Sequence, residues 1–160
     1  MKIWLEIIGS FPEKEGKYLI CPVHSSTRKN YHLYNIMEEP KMGDIVFHYV
    51  LERVSKKQSA ITSYSTVKNR FYFRDSQDPL CQYPPPYRVV KLMNNAPLKK
   101  PITVDMLLPY RIKLDSIVKA SKLTRAPFDK NFKIKQLYIS RIPLGFTDIF
   151  AKVSGTKFTF

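Results

Sequence analysis

The apolar stretches of this sequence are short, and this limits the fold more than any other feature. Five runs have the length and composition typical of β-strands: Lys2–Ile8, Lys17–Pro22, Ile45–Leu51, Ser59–Val67 and Tyr87–Met93. Neither face of Ile45–Leu51 is polar throughout, which indicates a central strand. The gaps between successive strands are too short for the regular helical crossovers that join neighbouring parallel strands. No run approaches the roughly 20 apolar residues of a membrane-spanning helix. We therefore predict an α+β chain with a small, curved, mostly antiparallel sheet or barrel and peripheral helices.

Helices are predicted in the gaps and near the end of the chain. The predicted helices are Tyr31–Glu39 with Asn30 as cap, a short helix from Thr103 to Leu108, Ile112–Lys122, and Thr147–Val153 with Thr147 as cap and Gly155 just past its end. Residues 68–86 read as a long irregular segment, and residues 137–139 as either a short strand or a buried turn. The length fits one domain over residues 1–160, either alone or as the N-terminal part of a longer protein.

The charge of the chain points to a polyanionic partner. The 160 residues include 27 Lys and Arg against 13 Asp and Glu, a net charge of +14. Residues 1–50 are balanced, residues 51–110 carry an excess of +6 and residues 111–160 an excess of +8. With 44% hydrophobic residues the chain has enough apolar surface to fold. A folded, strongly basic domain is typical of a nucleic-acid binder.

Several other classes of function are disfavoured. The acidic Glu6 interrupts the first apolar run and no cleavage site follows, so we expect a cytoplasmic protein without a secretory signal or membrane anchor. Cys21 and Cys81 lie far apart and the three histidines lack zinc-binding spacing, so we expect neither a disulfide framework nor a cofactor or metal. No glycine-rich phosphate loop is present, and we predict a non-enzyme. A Cys21–His24 nucleophilic pair remains the open catalytic alternative.

An ordered set of motifs resembles a known family. The string Gly43–Tyr49, preceded by a predicted helix and followed by Ala60–Ser65, Tyr87–Val90 and Pro101–Ile102, resembles the EVE branch of the PUA-like superfamily, a relative of YTH and ASCH domains. The resemblance covers roughly residues 1–105. It is closest to the EVE domains at the N-terminus of archaeal and bacterial McrB-type proteins, the recognition subunits of modification-dependent restriction systems. The resemblance implies DNA as partner, with a GTPase domain elsewhere in the full-length chain and a separate nuclease subunit.

The resemblance also implies a pocket that takes a flipped-out base between aromatic side chains. Relatives commonly use tryptophans there, whereas Trp4 is the only tryptophan of this chain and lies on the first predicted strand. We therefore expect tyrosines, phenylalanines and short polar groups to form the pocket. The predicted base-pocket residues are Tyr18, Cys21, His24, Ser25, Tyr31, Asn35, Phe71 and Tyr72.

Basic and aromatic residues alternate in Lys68–Arg74, a pattern suited to phosphate contacts combined with stacking or with wedge insertion into a duplex. The predicted nucleic-acid contacts are Arg28, Lys29, Lys68, Asn69, Arg70 and Arg74. The alternative for Lys68–Arg74 is a solvated loop whose aromatics cover the core. We thus predict a non-catalytic DNA-binding domain that recognises methylated DNA by base flipping, as specificity module of an McrBC-type restriction system. An RNA-binding EVE- or ASCH-like domain in RNA modification or metabolism is the alternative.

Overall fold

One curled sheet organises the chain. The computed structural model describes residues 1–10, 14–23, 35–79, 81, 83–121, 123, 127–129, 131–135 and 137–159. Within these residues the strands are β1 (Ile3–Ile8), β2 (Tyr18–Pro22), β3 (Ile45–Val50), β4 (Ala60–Val67), β5 (Tyr72–Arg74), β6 (Tyr87–Thr103) and β7 (Ile139–Ile142). Their order is β2-β6-β4-β3-β1-β7, and β5 also pairs with β6. Among the described strands only β1 and β3 run parallel, which confirms the predicted mostly antiparallel sheet.

The long strand β6 produces the curl. Its first part pairs with β2 and β5, and its second part pairs with β4 through two register shifts. The predicted strand Tyr87–Met93 is therefore much too short. The strand continues through Pro97 and Pro101, both of which are exposed. Proline is tolerated in a sheet where its missing N–H is not required by a neighbouring strand.

Short helices cover one face of the sheet. They are α1 (Glu52–Ser55), α2 (Val104–Leu107), a 3₁₀ helix (Leu108–Tyr110), α3 (Arg111–Ala120) and α4 (Phe146–Ser154). The hydroxyl of Thr103 accepts from the amide of Met106, which confirms Thr103 as the cap of α2. Gly155 ends α4 at a φ of 67°, as predicted. Thr147 as the cap of α4 is wrong, because Gly145 occupies that position and the Thr147 hydroxyl donates to the carbonyl of Leu144.

Two further differences concern local structure. Glu52–Ser55 forms a single helical turn where the sequence indicates only a charged connection. Of the predicted helix Tyr31–Glu39, residues 35–38 form a 3₁₀ turn and residues 31–34 lie outside the described part of the chain. No helix in the described part of the chain is long and apolar enough to cross a membrane.

Apolar side chains fill both faces of the central strands. Ile3, Leu5 and Phe47 point toward α2, α3 and α4 and belong to a helix-side core that also contains Phe146 and Phe150. The alternate residues of the same strands belong to a second core. Its members are Trp4, Leu19, Cys21, Met37, Val46, Val67, Val90, Leu92 and Ile139. Because both faces are covered, the central strands read as continuous apolar runs.

The Gly-Asp pair before β3 anchors the parallel pairing. Gly43 adopts a φ of 87°, a conformation that favours glycine, and Asp44 is only 3% exposed. One oxygen of the Asp44 carboxylate accepts from the Lys2 amide at 2.7 Å. The other accepts from the Trp4 indole Nε1 and the Lys41 amide, both at 3.0 Å. The carboxylate therefore ties the start of β1 to the start of β3.

Substituting Asp44→Asn should destabilise the fold. The amide keeps the side chain's shape, but its NH₂ group would face buried N–H donors that now bind a carboxylate oxygen. We expect the free energy of unfolding in urea to fall by about 2 kcal/mol or more. Asp75→Asn, at an exposed aspartate, is the matched control and should change it by less than about 0.5 kcal/mol. Equal effects of the two substitutions would contradict the anchoring role of Asp44.

Candidate nucleic-acid interface

A cleft of about 590 Å³ opens beside the end of β1. The chain segments that follow β1 and β3, strand β2 and the segment before β7 all contribute to its walls. The residues that line it are Ile7, Gly9, Ser10, Lys14, Ile20, Cys21, Pro22, Leu51, Arg53, Cys81, Tyr83, Leu137 and Tyr138. Its exposed lining is more polar than apolar and combines apolar side chains with charged and hydroxyl groups. A concave site with a few fixed polar groups is typical of sites for small ligands or single bases.

The polar floor of the cleft is built on the buried carboxylate of Glu6. The Tyr138 hydroxyl donates to Glu6 Oε1 at 3.3 Å and accepts from the Ile20 amide at 2.7 Å. The Lys14 ammonium lies 3.7 Å from the same Glu6 oxygen and 4.8 Å from the centre of the Tyr138 ring. Burial, followed by the charge of Glu6, raises the pKa of Tyr138 well above its ordinary value, so the phenol remains a donor. Lys14, 5% exposed, is thus a positioned cation in the cleft.

A series of polar groups, buried except for the exposed Asn95, holds Glu6 from the side away from the cleft. His48 Nδ1 lies 2.7 Å from Glu6 Oε2, His48 Nε2 lies 2.8 Å from Ser65 Oγ, and Ser65 Oγ lies 3.0 Å from Asn95 Oδ1. The order of Glu6, His48 and Ser65 is that of a hydrolase triad. Ser65, however, is 0% exposed, so no substrate reaches its hydroxyl. These hydrogen bonds instead link β1, β3 and β4 and fix the rotamer of Glu6.

Two thiols contribute to the cleft walls. Burial raises the pKa of the Cys21 thiol to about 12, and burial also raises the pKa of Cys81. Both side chains are therefore neutral near physiological pH and act as small, soft, nearly apolar surfaces. Because nucleophilic catalysis needs a thiolate, the environment of Cys21 disfavours the predicted alternative of a catalytic pair with His24, which lies outside the described residues.

The predicted base pocket coincides with the cleft only in part. Among its described members only Cys21 lines the cleft. The Tyr18 hydroxyl donates to both Asp78 oxygens, at 2.9 and 3.0 Å, and burial raises its pKa to about 12. Asn35 Oδ1 accepts from the Arg88 guanidinium at 3.3 Å. The predicted residues that lie outside the described part of the chain are His24, Ser25, Arg28, Lys29 and Tyr31.

The segment Lys68–Arg74 is more ordered than an irregular loop. Tyr72–Arg74 forms β5 and pairs with β6, because its β-forming residues complete the edge beside Tyr87. Phe71 is half-buried against the second core, and its ring meets that of Phe73 edge to face at 5.6 Å. The ring of Tyr72 lies 5.7 Å from the Lys91 ammonium.

The polar members of this segment have different surroundings. The Asn69 side chain accepts from the Lys91 amide at 2.9 Å, which gives it a structural role. The Arg74 guanidinium is paired with Asp78 and also donates to the Tyr72 hydroxyl at 3.2 Å. Lys68 and Arg70 are exposed. Phosphate binding by these residues stays a prediction, and Lys68 and Arg70 have the accessibility that it requires.

Sequence reasoning did not find Lys14 and Tyr138 as site residues. Lys14 stands in an ordinary charged stretch, and Tyr138 lies 132 positions after the Glu6 that it contacts. No local pattern marks either residue. The pairing of β1 with β7, extended by the bond from the Ile7 amide to the Tyr138 carbonyl, brings Tyr138 beside Glu6, and the turn before β2 brings Lys14 there.

The buried thiols should react slowly with alkylating reagents. At pH 8 a thiol with a pKa near 12 is ionised at least about 100-fold less than a free cysteine, and burial limits access further. Mass spectrometry after iodoacetamide treatment should therefore show Cys21 modified at least about 100-fold more slowly in the native chain than in guanidinium. Equal rates in both conditions would mean that the Cys21 thiol is neither buried nor raised in pKa in the native chain.

Known structures with a similar fold include a protein solved in complex with DNA. Human THYN1 protein in complex with DNA containing 5-methylcytosine matches with a TM-score of 0.56 and 17% identity, over 98% of this chain and 99% of that one. The N-terminal domain of Staphylothermus marinus McrB matches with a TM-score of 0.53 and 14% identity, over 91% of each chain.

The DUF55 domain of human thymocyte nuclear protein 1 matches with a TM-score of 0.53 and 17% identity, over 97% of this chain and 99% of that chain. No protein-family model and no curated protein sequence matches the chain. The likeness thus lies in the three-dimensional structure. The chain has the fold of the PUA-like EVE domains.

Proposed function

We propose that the chain binds DNA and reads a modified base in the cleft beside β1. The cleft carries this proposal, because it combines apolar side chains such as Ile20 and Leu137 with a buried, oriented cation, Lys14. The structure of THYN1 with DNA containing 5-methylcytosine, and the McrB N-terminal domain, support DNA as the ligand of this fold. The net charge of +14 supports a polyanionic partner.

The cleft offers what a flipped base needs. Extruding a base costs a few kcal/mol, which stacking and hydrogen bonds to the base edge must recover. Tyr83 is 36% exposed at the wall and offers a ring for stacking. Lys14 offers N–H donors to a ring nitrogen or a carbonyl oxygen of the base. Ile20 and Cys21 offer a soft apolar surface for a methyl group.

Basic groups near the cleft would hold the backbone. Arg53 lines the cleft and is exposed, and its Nε donates to the Gly9 carbonyl at 3.1 Å, which fixes the guanidinium beside the opening. Arg70 and Lys68 add exposed charges on the segment before β5. Phosphate contacts of this kind supply affinity, whereas the cleft supplies discrimination.

In a cell the domain would act as the specificity module of an McrBC-type restriction system, joined to a GTPase domain and working with a nuclease subunit. This role is proposed from the fold that the chain shares with the McrB N-terminal domain. A non-catalytic role fits the inaccessible Ser65 and the neutral Cys21. RNA binding in RNA modification or metabolism is the second candidate, since the same charge would attract either nucleic acid.

Substituting Lys14→Gln tests the cleft. Fluorescence anisotropy would compare duplexes that carry 5-methylcytosine, N6-methyladenine or no modification, together with an RNA duplex and a single strand, at two salt concentrations. We expect the chain to prefer one modified DNA, and Lys14→Gln to weaken that binding about tenfold while binding to plain DNA changes less than about twofold.

Lys17→Gln, at an exposed lysine three positions away, is the matched control and should lower the affinity for all duplexes equally. Thermal unfolding would verify that each variant is folded. Tighter binding to RNA would favour the second candidate. Equal affinity of the unsubstituted chain for modified and plain DNA would overturn the proposed reading of bases.

Arg70 and Arg74 should respond differently to alanine. Arg70→Ala removes an exposed charge and should reduce the slope of log affinity against log salt by about 0.9 without changing stability. Arg74→Ala breaks the ion pair with the buried Asp78 and should lower the melting temperature. An unchanged salt slope for Arg70→Ala, measured by anisotropy, would show that Arg70 does not contact a phosphate.

A further inference from the structure

A row of three side chains leads from the cleft to an exposed aromatic ring. Arg88 of β6 pairs with Cys21 of β2 on one side and with Phe73 of β5 on the other. Paired residues of neighbouring strands project from the same face of a sheet. Because adjacent strands lie about 4.8 Å apart, Phe73 stands about 10 Å from Cys21 along this row. Cys21 lines the cleft, so the row begins at the proposed base site.

Phe73 is unusually exposed for its size. Its side chain is 56% exposed, and among the described aromatic residues only Tyr83 is otherwise classed as exposed. The ring does not lie free, because its edge-to-face contact with the half-buried Phe71 at 5.6 Å supports it from below. A large apolar ring that is anchored on a strand and directed to solvent is suited to insertion into a partner.

Arg88 supplies the second, independent observation. It is 7% exposed, and its Nε donates to Glu38 at 2.9 Å while Nη2 donates to Asn35 at 3.3 Å. The guanidinium lies 5.8 Å from the centre of the Phe73 ring. Its Nη1 is buried and has no partner within the described residues. A buried donor without an acceptor is costly, and here it points to an acceptor that a ligand provides.

We propose that Phe73 is the wedge that enters the duplex where the target base has left the stack, and that Arg88 Nη1 donates to a phosphate oxygen of the extruded nucleotide. This proposal rests on the proposed function. Arg88 stands between the wedge and the cleft, where the backbone of a nucleotide with its base in the cleft would pass. Glu38 and Asn35 are positioning residues, because they hold the guanidinium with Nη1 directed away from them.

A wedge and a simple surface residue differ in their dependence on base pairing. A wedge recovers part of the energy of opening a base pair, so it matters most when the target base is paired. It matters little when the base lies opposite an abasic site, since that base has no pairing partner to lose. A ring that only covers Phe71 would act equally on both duplexes.

Phe73→Ala measured on these two duplexes tests the wedge. Anisotropy should show about tenfold weaker binding to the paired modified duplex and less than about twofold weaker binding to the duplex with the abasic site. Phe73→Trp should retain affinity for both. Ile112→Ala, at an 87% exposed apolar residue of α3, is the matched control and should change neither.

Arg88→Lys, with melting as a check of folding, tests the phosphate contact. The lysine keeps the charge but lacks Nη1, so binding to both duplexes should weaken about tenfold. Equal losses on both duplexes for Phe73→Ala, or no loss, would overturn the wedge while the preference of the unsubstituted chain for modified DNA still stands. Unchanged binding by folded Arg88→Lys would overturn the phosphate contact. A chain without preference for any modified DNA would overturn the proposed function itself.

Discussion

Two buried carboxylates hold together the parallel strands on which the rest of the structure depends. The Asp44 carboxylate accepts hydrogen bonds from three N–H groups at the start of the β1–β3 pair. Further along the pair, the Glu6 carboxylate contacts His48, Tyr138 and Lys14. Glu6 is 0% exposed and Asp44 is 3% exposed. A buried charge is tolerated only when its partners are in place. The fold is therefore stable only when β1 and β3 are placed so that both carboxylates have their partners.

The carboxylate of Glu6 both stabilises the sheet and shapes the cleft. On one side Glu6 binds His48, and through it Ser65 of β4. On the other side it holds Lys14 and Tyr138 at the floor of the cleft. A ligand that contacts Lys14 thus contacts an ammonium group that Glu6 and Tyr138 already hold in place. Such preorganisation lowers the conformational entropy that binding must remove.

The sequence allowed the central architecture to be predicted because alternation and turn chemistry are local. Ile45–Val50, the Thr103 cap and the Gly155 terminus follow from residues that act on their immediate neighbours. The full length of β6 does not, because its continuation through Pro97 depends on pairing with β4. Phe71 was assigned to the site and Phe73 was not, although the two rings lie two positions apart on the same side of the chain and contact each other. Phe71 is half-buried against the second core, whereas Phe73 lies beyond its edge and is exposed, and where a core ends along an edge strand depends on tertiary packing that the local pattern does not show.

The proposed function requires that a modified base enter the cleft beside β1. Methyl-resolved NMR of isoleucine-labelled chain, titrated with a short duplex carrying the preferred modified base and with the same duplex unmodified, tests it most directly. We expect the Ile20 methyl signal to shift with the modified duplex and much less with the plain one, while that of Ile112 on α3 stays in place. Shifts at Ile112 with Ile20 unchanged would place the nucleic acid at α3 and contradict the entry of a base into the cleft.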